Sequence, residues 1–251
     1  DLALHTLRRY AALADAMGVG ALEAVATAAI RDSADGLDFI ARVRETCGIE
    51  VRVLSGNEEG YFSALGVAAA IPGAHGVVGD LGGGSLELVA LENGAPGDST
   101  TLPLGSLQFV DGMPSASRVD EILQGSAGLP SWQGRTLYCV GGVWRALARI
   151  HIRQRNAPLQ IVHEYRVKAA KFAEFAHVLT NLSSASLAAL EGVPSKRAAA
   201  VPVGALVVER LIAALKPVDL VFCGYGLREG LVQSHLPVEE QQRDPFLAFC
   251  E

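Results

Sequence analysis

The sequence predicts an α/β fold in two lobes, and three observations carry that reading. Short apolar segments such as VVGDL (77–81), GSLELVAL (84–91) and VDLVFC (218–223) have the pattern of buried strands. Stretches such as 35–47, 143–154 and 195–216 space their apolar residues as helices do. Near residues 70–76 the organisation changes, from strands separated by helices to strands joined directly by glycine turns, which marks a lobe boundary. The expected division is a first lobe over 1–72, a second over 73–236, and a tail over 237–251.

The elements follow in order. Residues 2–17 carry Leu2, Leu7, Leu13 and Met17 at helical spacing, and Gly18 and Gly20 stop the helix. Val25–Thr27 is a short buried strand. Residues 35–47 form a helix with Asp35 as N-cap and Gly48 as terminator. In 49–55, Ile49, Val51 and Val53 share one face of a strand. Residues 56–71 are a helix with two carboxylates in its first turn, and Pro72-Gly73 is a turn. VVGDL, GSLELVAL and DSTTLPLG then form an antiparallel meander. Residues 116–124 are weakly helical, 135–142 a strand, and VWRALARIHIRQ a helix. Helices are expected over 166–180, 183–191 and 195–216, a strand over 218–226, and a helix over 227–236 before an irregular polar tail.

Half of the 251 residues are apolar, enough for a sizeable core. The net charge of −6 argues against a general nucleic-acid binder, although a local cluster can still hold phosphate. There is no uninterrupted apolar run of membrane-spanning length and no secretory leader, so a cytoplasmic location is expected. Cys47, Cys139, Cys223 and Cys250 form no CxxC pair and read as free thiols, and the six histidines show no metal-ligand spacing.

The strongest chemical signal is DLGGGSLE, Asp80–Glu87. Three successive glycines after an apolar strand leave backbone N–H groups bare in a tight turn, and such a turn forms an anion nest. Gly82, Gly83, Gly84 and Ser85 are therefore the candidate phosphate cradle. Asp80 and Glu87 bracket it as candidate ligands for a metal ion. Neither GxxxxGK[ST] nor GxGxxG entering a helix is present.

Read in order, ATAAIRDSADG (26–36), VLSGNEEG (53–60), VVGDLGGGSLELV (77–89), LPLGSL (102–107), YCVGGVWRALARIH (138–151), SKRAAAVPVGALVVERLI (195–212) and GYGLREGLV (224–232) resemble the exopolyphosphatase / guanosine pentaphosphate phosphatase (Ppx/GppA) family of the actin-like, sugar-kinase-like ATPase superfamily. The resemblance covers nearly the whole chain. It implies a two-lobed actin-like (ribonuclease H-like) ATPase fold with mixed sheets flanked by helices. It also implies an upstream phosphate hairpin of the DxGSNS type that this chain does not contain, so the first lobe is expected to be truncated and the chain central in a longer protein. The GGVWRA turn departs from the family, which has more glycines there followed by Thr.

By resemblance, Glu59 is the base that activates water, with Glu58 second, since adjacent helical residues point about 100° apart. Arg31 is a phosphate ligand by the same comparison, or else an ion-pair partner of Asp32 or Asp35. Lys196 and Arg197 would hold more distant phosphates. The basic run Arg145, Arg149, Arg153 and Arg155 with His151 reads as a solvated helix face or a polyphosphate track. The implied activity is Mg²⁺-dependent removal of terminal phosphate from inorganic polyphosphate, by a homodimer with no DNA or membrane partner. The alternatives are 5′-phosphate removal from guanosine pentaphosphate, a sugar-kinase-like phosphotransferase, and a non-catalytic phosphate-sensing module.

Overall fold

The computed structural model describes residues 2–109, 112–182, 186–187 and 195–241. The chain forms two compact units, Asp1–Gly56 and Asn57–Glu251.

In the first unit, helix α1 (Leu2–Ala16) precedes strand β1 (Ala24–Ala26), a single helical turn α2 (Ala28–Arg31), helix α3 (Gly36–Cys47) and strand β2 (Val51–Val53). The two strands are parallel, with Ala24 opposite Val51 and Ala26 opposite Val53. Leu4, Val43 and Ile49 form the small core, with Leu7 and Phe39 packed against it. Gly48 ends α3 in the left-handed conformation that glycine accepts without strain. Asp35 stands at the N-cap of α3, but its carboxylate caps nothing. It accepts a hydrogen bond from the Ser33 hydroxyl instead, which lowers its pKa.

The second unit is built on a six-stranded mixed sheet. Its strands are β3 (Gly76–Leu81), β4 (Leu86–Glu92), β5 (Ala95–Leu102), β6 (Thr136–Val140), β7 (Tyr165–Lys168) and β8 (Asp219–Phe222), in the order β5-β4-β3-β6-β8-β7. The predicted meander is the antiparallel trio β3, β4 and β5. β6 and β8 extend it in parallel from β3, and β7 closes the edge antiparallel to β8.

The sheet is covered on both faces, and strand alternation decides which residue faces which layer. Val77, Leu81, Leu86, Leu88, Leu137, Cys139, Leu220 and Phe222 meet the main core. That core also contains residues of helices α5 (Ala116–Gln124), α6 (Gly142–Gln154), α7 (Ala169–Thr180) and α8 (Val201–Leu215). The alternate residues Val78, Val89, Leu91, Tyr138, Val140 and Val221 meet Ala64, Val67 and Ala70 of helix α4 (Gly56–Ala70). Helix α9 (Leu227–Ser234) lies against α4 through paired glycines. A Cβ on Gly66 would sit 2.2 Å from the Gly226 carbonyl oxygen, and one on Gly230 would sit 1.7 Å from that of Phe62.

Four observed features differ from the sequence reading. The unit boundary falls at Gly56/Asn57, not at 72/73, because α4 is buried on the sheet of the second unit. The expected helix 166–180 begins as β7, held in the sheet by pairs such as Lys168 opposite Asp219. The expected helix 195–216 opens with a 3₁₀ stretch over Ser195–Ala200. The tail contains a short helix, α10 (Val238–Gln241), and 242–251, with Cys250, lie outside the described residues. Except for 186–187, the helix expected over 183–191 also lies outside them. The stretch Ala198–Leu215 is apolar and long enough to cross a membrane, yet 61% of it is buried inside the protein.

His151 of α6 is buried among Phe172, Phe175 and Tyr165, and its Nδ1 lies 2.7 Å from the Tyr165 hydroxyl. Burial, assisted by the charge of Arg155, pushes its pKa down to about 4. The folded state therefore binds fewer protons than the unfolded state between the ordinary histidine value of 6.5 and about 4. Stability from this site is complete above pH 6.5 and is lost as pH falls toward 4. The loss is up to about 3 kcal/mol, at about 1.4 kcal/mol per pKa unit. Chemical denaturation at pH 7 and pH 4.5 should show His151→Gln with a markedly flatter acid dependence than the parent. Equal slopes would mean that His151 is not the acid-sensitive group.

Candidate functional site

The site forms at the carboxyl ends of the parallel strands β3, β6 and β8, where an open α/β sheet places its ligands. The Gly82–Ser85 turn joins β3 to β4 there. Its amides and carbonyls are sorted to opposite sides. The Gly82 carbonyl accepts from the Ser106 amide at 3.0 Å, the Gly83 carbonyl from the Leu107 amide at 2.8 Å, and the Gly84 carbonyl from Gln108 Nε2 at 2.8 Å. The Gly82 amide donates to the Ser85 carbonyl at 3.0 Å. The amides of Gly83, Gly84 and Ser85 donate to no acceptor among the described residues. With every glycine carbonyl drawn toward 106–108, three adjacent N–H groups remain for an anion, the geometry of a nest.

Gly105 makes this sorting possible. A Cβ there would lie 2.3 Å from the Gly83 carbonyl oxygen and 2.4 Å from the Ser85 nitrogen, so only glycine lets the supporting segment approach. Gly141, after β6, is similarly constrained. Its φ is +105°, and a Cβ would lie 2.4 Å from the Leu81 carbonyl oxygen. Trp144, fully buried one turn into α6, packs on Gly79 and donates from Nε1 to the Gly204 carbonyl at 3.0 Å. It thereby fixes α6 and α8 behind the loop.

Asp80 and Glu87 are directly opposed in the β3–β4 register, so both side chains leave the same face of the sheet, the face covered by α4. Asp80 accepts a hydrogen bond from the Ser63 hydroxyl of α4. Burial raises the Asp80 pKa, while this hydrogen bond and the charge of Arg145 pull it down. Glu87 is buried, and the missing side chain of Gly60 gives it room: a Cβ at Gly60 would lie 3.4 Å from Glu87 Cβ. Two carboxylates and a hydroxyl on one face are hard oxygen donors, the set that suits Mg²⁺ bound partly by substrate phosphates. Among the described residues no cluster of three or more His, Cys, Asp or Glu forms a complete metal cage.

Glu59 is buried in the first turn of α4. It lies four residues before Ser63, hence on the same helical stripe as the hydroxyl that reaches Asp80. Glu58 is half-buried and shares the adjacent stripe with Phe62. In the first unit, Arg31 ends α2. Its Nη1 donates to the Leu54 carbonyl at 2.8 Å, and its Nε pairs with Asp32 at 3.2 Å, the ion pair weighed from the sequence. Lys196 and Arg197 lie in the 3₁₀ stretch before α8, and their side chains fall outside the described structure.

Three contributors are absent from the site list drawn from the sequence. Ser63 was legible only as the residue one turn beyond Glu59. Arg145 belongs to a basic run in the sequence, yet its charge acts on Asp80 and its Nη1 lies 3.4 Å from the Gly224 carbonyl oxygen. The 105–108 segment has the pattern of a strand end, and its support of the loop appears only in three dimensions.

Residues 2–239 match the Ppx/GppA phosphatase family. Exopolyphosphatase 1 of Mycobacterium tuberculosis (strain H37Rv) is 29% identical over 263 residues, covering 95% of this chain and 74% of that protein. Exopolyphosphatase 1 of Mycobacterium leprae is 28% identical, covering 95% and 75%. An exopolyphosphatase structure from Cytophaga hutchinsonii superposes with a TM-score of 0.83 at 21% identity, over 92% of this chain and 80% of that one. The Aquifex aeolicus Ppx/GppA structure gives 0.78 at 24% identity, over 96% and 81%. These two structures bear on the fold, and they agree with the mixed α/β, actin-like arrangement expected from the sequence. With the match running through both units and across the glycine loop, the chain belongs to the Ppx/GppA phosphatase family.

Proposed function

We propose that this protein is an exopolyphosphatase, hydrolysing the terminal phosphoanhydride of inorganic polyphosphate with release of orthophosphate. The observation that carries the reading is the sorted loop, with three amides of Gly83–Ser85 left for an anion while the 106–108 segment holds the glycine carbonyls. The names of the mycobacterial relatives supply the substrate class. The loop amides hold the terminal phosphate. Glu59 orients a water and takes its proton as the bridging oxygen leaves. Asp80, steadied by Ser63, and Glu87 would hold Mg²⁺, which would supply positive charge to offset that on the transferred phosphoryl group. The Lys196–Arg197 pair is assigned to further phosphates of the chain.

Phosphate release should be assayed with long-chain polyphosphate and guanosine pentaphosphate, using protein expressed from its complete reading frame. Polyphosphate is the expected substrate. Release from guanosine pentaphosphate alone would favour the sister activity, and release from neither would favour a sensing module. Chelation of Mg²⁺ should lower the rate on the order of 100-fold, with recovery on adding Mg²⁺ back. An unchanged rate after chelation would remove the metal from this account.

A further inference from the structure

We propose that the cavity between α5, the 3₁₀ turn Leu129–Trp132 and the last turns of α8 is a binding site for a small organic acid, a monoanion with an apolar body and a hydrogen-bonding group at its far end. The cavity has a volume of about 360 Å³, toward the lower end of the range for small-molecule sites. It is separate from the glycine-loop site. The Gly134 amide, just before β6, donates to the Leu215 carbonyl at the end of α8 at 2.8 Å. This part of the fold therefore lies at the amino ends of β6 and β8, whereas the glycine loop lies at the carboxyl ends of the parallel strands.

The lining combines an apolar floor with a fixed polar wall. Leu123 and Leu129 are buried and give the floor, and Ala213 and Ala214 leave space that larger side chains on α8 would fill. Asp120 of α5 and Arg210 of α8 form a two-pronged ion pair, with Nε and Nη2 each 2.7 Å from a carboxylate oxygen. The pair joins the two helices and holds this wall in place before any ligand arrives.

Two groups on the lining point to a ligand. Ser126 is only 8% exposed, and its hydroxyl has no hydrogen-bond partner among the described residues. Buried polar groups are paired as a rule, and a hydroxyl left alone costs stability. A serine hydroxyl can turn among three staggered positions, so a ligand atom at this wall gives it the partner that the fold does not. At the mouth, Lys216 is exposed and pairs with no carboxylate among the described residues, while Asp120 and Arg210 neutralise each other. The lining thus carries one cation in excess, which matches one carboxylate. The apolar floor takes the body of the acid between Lys216 and Ser126. A polyanion is a poor fit, because one surplus charge cannot neutralise it and Asp120 repels it.

The test is a titration with 4-hydroxyphenylacetate, which carries a carboxylate, a ring and a far hydroxyl. Phenylacetate and 4-hydroxyphenylethanol, which each lack one end, are titrated beside it. Affinity is read by calorimetry at constant ionic strength, and location by the amide NMR spectrum. The site predicts a Kd of about 1 mM or tighter for 4-hydroxyphenylacetate, with the amides of Ser126, Leu129 and Gln133 moving. Loss of either end should weaken binding by about two- to tenfold. Ser126→Ala should abolish the advantage of 4-hydroxyphenylacetate over phenylacetate without lowering the melting temperature, because no hydrogen bond of the folded state is lost. Lys216→Asn should abolish its advantage over 4-hydroxyphenylethanol, and asparagine tolerates the left-handed conformation at this position. Ala213→Leu, at an exposed position, should fill the cavity and remove measurable binding of all three probes. No saturable binding by the parent, or binding that these substitutions leave unchanged, would overturn the site. Displacement of the acid by tripolyphosphate would also overturn it, because the acid would then sit at the glycine loop. Phosphate release from polyphosphate is measured separately, so failure of this site and failure of the exopolyphosphatase reading are told apart.

Discussion

Glu59→Gln is expected to lower turnover of polyphosphate by roughly a thousandfold while leaving its binding within a few-fold of the parent. A positioned base contributes about 10² to 10⁴ in rate, and glutamine keeps the shape and the hydrogen-bonding oxygen while losing the basic pair. The position supports the role. Glu59 is buried, stands in the first turn of α4, and shares a stripe with Ser63, whose hydroxyl binds Asp80. Glu58 is the control, because the helix turns it about 100° away. Glu58→Gln should cost less than about tenfold by this account. The measurement is steady-state phosphate release beside equilibrium binding of labelled polyphosphate. A larger defect in Glu58→Gln than in Glu59→Gln would exchange the two roles.

The second large effect is expected from Gly105→Ala, at a residue packed against the backbone of the glycine loop. One methyl group there would lie 2.2 Å from the Gly84 carbonyl carbon and 2.3 Å from the Gly83 carbonyl oxygen. Both atoms are backbone, so neither can swing away as a side-chain tip would. The 105–108 segment must retreat, and the bonds that hold the glycine carbonyls at 2.8 to 3.0 Å break with it. Those carbonyls can then turn inward, placing negative dipoles where the phosphate must sit. Phosphate release should fall at least about 100-fold through lost electrostatic preorganisation. The melting temperature should fall by only several degrees, because the sheet beneath is unaltered. Near-parent activity in Gly105→Ala would mean that the loop does not depend on this support.

Much of the fold was legible because the strands are apolar and separated by glycine turns. β3, β4 and the meander could be read directly, whereas the direct opposition of Asp80 and Glu87 comes from the strand register. The assignment of α4 was not legible. Its sequence is apolar on nearly all sides, so periodicity could not say which layer it joins, and its place is set by the contacts of Ala64, Val67 and Ala70 with the sheet. β7 was hidden for a related reason. YRVK runs straight into a strong helix, and only pairing with β8, with Lys168 and Arg166 both reaching Asp219, holds it extended. At the site, the glycines announced an anion nest, but the donors that orient it arrive from Ser106, Leu107 and Gln108. Such long-range support leaves no local pattern. Arg145 was obscured in another way, since its basic neighbours made it look like one of a surface run.

The most direct test of the central claim is the amide NMR spectrum of the ¹⁵N-labelled protein during titration with tripolyphosphate. The account predicts that the amides of Gly83, Gly84 and Ser85 move first and furthest, saturating together with one dissociation constant. Saturable binding that leaves those three amides unmoved while others shift would contradict it, because the phosphate would then be held somewhere other than the glycine loop.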